Sequence, residues 1–196
     1  MLINKKKQKL EKSKQKIKKF ISILNSQTCS FSGPRPQNLP WGFNEDDSRC
    51  LEMKNNLKIN IVSAIEKGFK IFISGMALGF DMICAKMVFE LKKTYPFIKL
   101  IGAIPCKTQD KFWNEKDKQR YRTLLSQLDG IRCIYDNYIG SECMFERNRY
   151  MVNNSSLLIT YFNGKSGGTK RTVDYAKKQG INIINLYNEE KYKKSP

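Results

Sequence analysis

Short apolar runs alternate along most of this chain with longer segments of helical periodicity. Cys29 to Ser32, Lys70 to Ser74, Lys99 to Ile104, Ile131 to Tyr135, Ser156 to Phe162 and Ile181 to Tyr187 are strand-length runs of mainly apolar residues. Between them, Arg49 to Lys67, Met82 to about Thr94, Lys116 to Leu128, Glu142 to Asn153 and the segment after Thr169 up to Gln179 have the spacing and length of helices. Gly68 and Gly180 follow two of these helices as predicted C-caps. Strands separated by helix-length segments predict an α/β fold, with a mostly parallel sheet carrying helices on both faces. In such a sheet ligands bind beyond the carboxyl ends of the strands. Gly33–Pro36, Ser74–Asp81 and Ser166–Thr169 are therefore predicted to share one edge.

The first 27 residues depart from this pattern. Lys5, Lys6, Lys7, Lys9, Lys12, Lys14, Lys16, Lys18 and Lys19 are opposed only by Glu11, and Leu10, Ile17, Ile21 and Leu24 recur at loosely helical spacing. The pattern predicts a basic arm able to form an amphipathic helix. Three readings of it stay open: a solvated extension, contact with an anionic membrane, or contact with nucleic acid. A single domain is expected over 28–187, and a polar tail over 188–196.

Composition narrows the functional classes. The chain has 196 residues and a formal net charge of +18, which invites a nucleic-acid reading. Only eight of the 36 basic residues are arginine, however, in a chain also rich in asparagine and isoleucine. That mixture has the look of an AT-rich coding background, which raises charge without a binding purpose. No apolar stretch approaches the ~20 residues of a membrane span. Phe20 to Leu24 is too short for a signal-peptide core, so a cytoplasmic protein is expected.

The six cysteines form no close pair and histidine is absent, so a conventional zinc site is not expected and the thiols are predicted to be reduced and largely buried. Without histidine there is no Ser-His or Cys-His nucleophile either. Catalysis would have to rest on carboxylates, tyrosines, lysines or activated water.

Both common nucleotide motifs are absent. Gly164-Lys165-Ser166 resembles the end of a P-loop, but Ile159 stands where its first glycine is required, and no G-x-G-x-x-G occurs. The underlying physics can still operate, because a helix N-terminus exposes unpaired N–H groups that favour an anion. Gly75 and Gly79, with Ser74, Met76 and Ala77 around them, are expected to bring backbone close to a ligand. Gly167, Gly168 and Thr169, with the Ser166 hydroxyl, are expected to do so before the last helix. Lys170 and Arg171 in that helix's first turn oppose its dipole by about 0.3–1 kcal/mol each, which a bound anion would relieve.

Arg35, stiffened between Pro34 and Pro36, suits phosphate. Asp81 has two open readings, a helix cap or an acceptor for ribose hydroxyls. Arg147 shares a helix face with Met151 and either reaches the sheet edge or pairs with Glu142 or Glu146. Trp113 either stacks on a base or covers the core.

Taken in order, Gly33-x-Arg35-Pro36, Ser74-Gly75-Met76-Ala77-x-Gly79-x-Asp81, Gln109-x-x-x-Trp113, Arg147-Asn148-x-x-Met151-Val152 and Gly167-Gly168-Thr169 resemble the YpsA-like family of the SLOG superfamily. That group also includes DprA and the Lonely Guy phosphoribohydrolases. The resemblance spans about Thr28 to Tyr187 and leaves the basic arm outside. It implies a Rossmann-like sheet that binds a nucleotide or a ligand related to ADP-ribose or NAD, and it makes a homo-oligomer an expected possibility.

Lonely Guy enzymes pair an Arg-x-x-x-Met segment with a glutamate three residues after the threonine of a glycine loop. Arg147 and Met151 match the first element, but Thr172 stands at the glutamate's position. The expectation therefore leans to a binding protein that senses, regulates or sequesters a phosphorylated nucleoside, with no firm cofactor beyond that nucleotide-type ligand. The alternatives are a nucleotide hydrolase with Asp81 as its candidate carboxylate, and a DNA- or RNA-binding protein acting through the arm.

Overall fold

A computed structural model describes residues 2–188, with side chains from residue 10 onward. Asn188 aside, the expected polar tail lies outside the described residues. After a long helix α1 (Leu2–Ser26), strands and helices alternate: β1 (Thr28–Ser32), α2 (Ser48–Glu66), β2 (Ile71–Ser74), α3 (Phe80–Leu91), β3 (Lys99–Cys106), α4 (Glu115–Leu125), β4 (Gly130–Tyr135), α5 (Glu142–Asn153), β5 (Leu157–Thr160), α6 (Gly168–Gln179) and β6 (Asn182–Asn185). A single 3-10 turn, Pro36–Asn38, follows β1.

The six strands form one parallel sheet in the order β4-β3-β2-β1-β5-β6. The chain steps outward from β1 to β4, then returns to lay β5 on the other side of β1. This is a Rossmann-like α/β fold, and its direction reverses between β1 and β5.

Alternation along the strands shows how both faces are covered. Cys29, Phe31, Phe72, Leu100, Leu157 and Ile159 point into the larger core, with Leu57 and Ile61 of α2, Phe80 and Val88 of α3, and Tyr121 and Leu124 of α4. Their neighbours in sequence point the other way. Leu158 packs on Val152, Val173 and Ala176, and Ile73 packs with Ala103 and Met151, under α5 and α6. Ser30 faces α5 as well, and its hydroxyl meets that of Ser155 at 2.9 Å.

Element ends follow local chemistry. The Asp47 side chain caps α2 by accepting from the Arg49 N–H, and Asn114 caps α4 by accepting from Asp117. Gly180 closes α6 in the left-handed conformation at φ 70°. Strand β3, predicted to end at Ile104, runs on through Pro105 to Cys106. Strand β2 has already ended at Ser74, opposite Gly102, so beyond that point β3 has no ladder on that side for the proline nitrogen to interrupt.

The root of α1 is fixed to the domain. Asn25 Nδ2 donates to the Asn153 carbonyl at 3.1 Å, and Ser156 Oγ donates to the Ser26 carbonyl at 3.1 Å. This attachment lies at the amino ends of the strands. Among the described residues no helix is long and apolar enough to cross a membrane.

Candidate functional site

Strand order places a hollow in the molecule. Where β1 and β5 part company, their following loops diverge in opposite directions and leave a crevice at the carboxyl edge of the sheet. A cavity of about 860 Å³ fills it. The loop after β1 contributes Gly33, Pro34, Arg35, Gln37 and Asn38, and the loop after β5 contributes Phe162, Asn163, Lys165 and Ser166. Gly167, Gly168 and Thr169 at the head of α6 form one end, and Ala77, Asp81, Met144, Arg147 and Asn148 also line the space.

Nine of the residues predicted from the sequence therefore stand around one cavity: Gly33, Arg35, Ala77, Asp81, Arg147, Ser166, Gly167, Gly168 and Thr169. Ser74, Gly75, Met76 and Gly79 do not line it. Asn148 was missed, although it adjoins Arg147 in the string that carried the family resemblance. Gln37, Asn163 and Tyr187 were missed because nothing local distinguishes them from ordinary loop residues.

The Ser74–Asp81 loop differs most from expectation, since it brings backbone close to the protein's own interior. The Met76 N–H donates to Ser74 Oγ at 3.1 Å, and the Phe80 N–H donates to the Pro34 carbonyl at 3.2 Å. The Ser74 hydroxyl in turn donates to the Asp81 carbonyl at 2.8 Å. A Cβ on Gly79 would sit 2.6 Å from the Pro34 carbonyl oxygen, at a φ of +90° that side chains rarely adopt. A Cβ on Gly75 would fall on the Arg147 guanidinium and 2.5 Å from Asp81 Oδ2. The Met76, Ala77 and Phe80 N–H groups, expected to face an anion, are instead bonded within the protein.

Arg147 and Asp81 are the reason. Both are buried. Arg147 Nη1 donates to the Gly75 carbonyl and lies 3.8 Å from Asp81 Oδ2, while its Nε donates to Asn148 Oδ1 at 2.7 Å. It pairs with neither Glu142 nor Glu146, which are held by Arg171 and Arg149. The Asp81 carboxylate accepts main-chain N–H bonds from Ala77 and Gly33, which ties the loops after β1 and β2 together. Burial pushes the Asp81 carboxyl above the usual carboxylate range, against the pull of Arg147, Arg35 and those two donors. Burial likewise lowers Arg35 and Arg147 from the ordinary arginine value, with Asp81 opposing the shift; both guanidiniums stay charged at neutral pH.

The head of α6 is differently built. Gly167 precedes it at φ 138° with open space around its Cα, and no side chain caps the helix. Its first turn holds no acid. Gly167, Gly168 and Thr169 line the same cavity as Arg35, so the leading N–H groups of α6 lie at its wall. Lys170 and Arg171 are not left unopposed, because Lys170 Nζ lies 2.5 Å from Asp174 Oδ2 and Arg171 Nη2 lies 3.5 Å from Glu142 Oε2. Arg171 also stacks 4.0 Å over the Phe145 ring. Thr172 is buried; its hydroxyl donates to the Gly168 carbonyl and accepts from Asn148 Nδ2 at 2.7 Å. It fastens α6 to α5. Trp113 packs edge-on to Tyr121, with ring centroids 5.1 Å apart.

With this geometry in view, residues 29–190 match the YspA SLOG family. The chain belongs to that family. Among proteins related in sequence, the SPbeta prophage-derived YoqJ of Bacillus subtilis is 35% identical over 140 residues, which cover 65% of this chain and 82% of YoqJ. A UPF0398 protein of Brevibacillus brevis is 31% identical over 142 residues, or 71% of this chain and 76% of its own.

This SLOG domain also shares its fold with DNA processing protein A. The Streptococcus pneumoniae protein aligns with a TM-score of 0.55 at 14% identity, over 82% of this chain and 50% of the other. The Helicobacter pylori protein, described for its single-stranded DNA binding mode, aligns with a TM-score of 0.56 at 16% identity, over 83% and 66%. The chain thus spans half of one and 66% of the other. Residues 1–28, which include the lysine-rich α1, fall outside the family match.

Proposed function

We propose that the β1/β5 cavity binds a phosphorylated nucleoside, and that the protein acts as a reader of that ligand: a sensor, a regulator or a sequestering protein. One observation carries the reading. The uncapped head of α6 and Arg35 border one cavity of about 860 Å³ where the strand order reverses. The phosphate sits on the N–H groups of Gly168 and Thr169 with the Arg35 fork across from them, and Ser166 adds a hydroxyl. Asp81 and Arg147 are positioning residues that hold the loops after β1 and β2 together. Thr172 offers no carboxylate for N-glycosidic cleavage, and its hydroxyl is engaged in joining α5 to α6. These features support binding over turnover.

A second reading, single-stranded DNA laid across the same cavity, is favoured by the likeness to the Helicobacter pylori DNA processing protein A. Melting shifts with AMP, ADP, ADP-ribose, NAD and a thymidine oligonucleotide separate the two, with product analysis on the same samples. A mononucleotide or dinucleotide is expected to raise the melting temperature without being consumed. Arg35→Ala is expected to weaken that ligand about tenfold, a loss of ~1.4 kcal/mol. Gly168→Asp, a position with open space around the added Cβ, should abolish binding by placing a carboxylate on the phosphate. Unchanged affinity in both folded variants would remove the site, and release of a free base would replace the reader with an enzyme.

A further inference from the structure

We infer that α1 is an anchor for an anionic lipid surface, a role that does not depend on what fills the cavity. The helix is 25 residues long and carries a stripe of apolar residues that the domain leaves uncovered. Leu10, Ile17 and Ile21 recur at spacings of seven and four, with Phe20 beside them, and these four are between 47% and 61% exposed. The opposite side of the helix carries Lys12 and Lys19, while Lys14 and Lys18 flank the stripe on one edge and Lys16 on the other. A stripe of this kind, rimmed by long cationic side chains, lies in the plane of a bilayer. The apolar residues enter the acyl boundary and the flanking lysines extend their stems back to the headgroups.

Charge selects among the occupants such a stripe could take. Residues 1–19 contain nine of the chain's 28 lysines and a single acid, Glu11, so the other 177 residues share nineteen. The arm is far more basic than the lysine-rich background that coding bias explains. That density repels a second copy of the same helix, which disfavours self-association through the stripe. It attracts an anionic partner. Nucleic acid would satisfy the lysines but leave Leu10, Ile17, Phe20 and Ile21 in water, whereas a surface of acidic lipids satisfies both. Residues 1–28 lie outside the family match, so the anchor is an addition to the SLOG domain.

Flotation of the full chain with vesicles tests the assignment. Vesicles of phosphatidylcholine with about a third phosphatidylglycerol are expected to carry the protein, and phosphatidylcholine alone is not. The double variant Ile17→Asp/Phe20→Asp keeps every lysine and should reduce partitioning at least tenfold. Its melting temperature should match the parent, because both side chains are exposed on the arm. Raising salt to 0.5 M should weaken binding several-fold in the parent.

Three outcomes would overturn the proposal. The first is equal vesicle binding by parent and double variant. The second is absence of vesicle binding together with single-stranded DNA binding that survives the double substitution. The third is absence of vesicle binding together with a dimer, seen by light scattering, that the double substitution dissociates.

Discussion

Gly75 has no room for a methyl group, because the Arg147 guanidinium occupies the place a Cβ would take, with Asp81 Oδ2 at 2.5 Å. Arg147 is buried and bonded to the Gly75 carbonyl, so it cannot move aside without breaking that bond and its ion pair with Asp81. Gly75→Ala is therefore expected to lower stability by about 3 kcal/mol, through overpacking and a broken buried network, with a matching fall in the urea midpoint. Unchanged unfolding would show that the loop has slack. The sequence marked Gly75 as a point of close approach and Arg147 as a functional arginine. It could not show that each is the other's neighbour across 72 residues, because glycine spacing reveals that backbone is approached and not by what. The same holds for Asp81, read as a helix cap or an acceptor for ribose hydroxyls, whose contacts with Gly33 and Arg147 are tertiary.

At the scale of elements, periodicity located every strand and helix of the domain to within a few residues, since burial on one or both faces leaves a direct trace in residue order. The error at Pro105 came from the depth of pairing: a proline is tolerated in a strand whose neighbour has already ended, and sequence does not show where neighbours end.

The edge between β3 and β4 offers a test at this scale. Asp129 Oδ2 accepts from the Leu100 N–H at 2.8 Å and from Lys92 Nζ at 2.6 Å, and Oδ1 accepts from Lys99 at 3.2 Å. Burial alone would raise its carboxyl, but these donors prevail and hold it below the usual carboxylate value. A lowered folded value means stability that is fully present above the unfolded carboxylate range and lost as pH falls through the folded value. Asp129→Asn should cost about 1 kcal/mol at pH 7, and the difference from the parent should shrink steadily below about pH 4. A penalty independent of pH down to the acid limit would contradict this account.

For the whole molecule, the decisive feature was the order of the strands, and no local pattern encodes it. The sequence predicted that three loops share the carboxyl edge; only the reversal between β1 and β5 separates the loops that open a cavity from the one that closes behind it. Thiol reactivity probes the integrity of the assembled fold. All six cysteines are free, and Cys133 alone among them is not buried. Burial pushes the Cys50 thiol up to about 11 and raises Cys84 well above its ordinary value. A disulfide reagent at pH 8 should label no more than one thiol quickly in the native protein and all six in denaturant, and Cys133→Ser should remove the fast phase. Rapid labelling of several native thiols would mean that the core opens readily.

The arm joins the domain beside the amino ends of the strands, while the cavity lies beyond their carboxyl ends. The molecule therefore has two poles with the depth of the sheet between them. A chip or bead that captures the protein through the arm would hold the cavity turned toward the flowing solution, and a small molecule could enter and leave without crossing the tether. Immobilised and free protein should accordingly give the same dissociation rate, so the geometry that separates the poles also makes the arm a convenient handle for kinetic measurement.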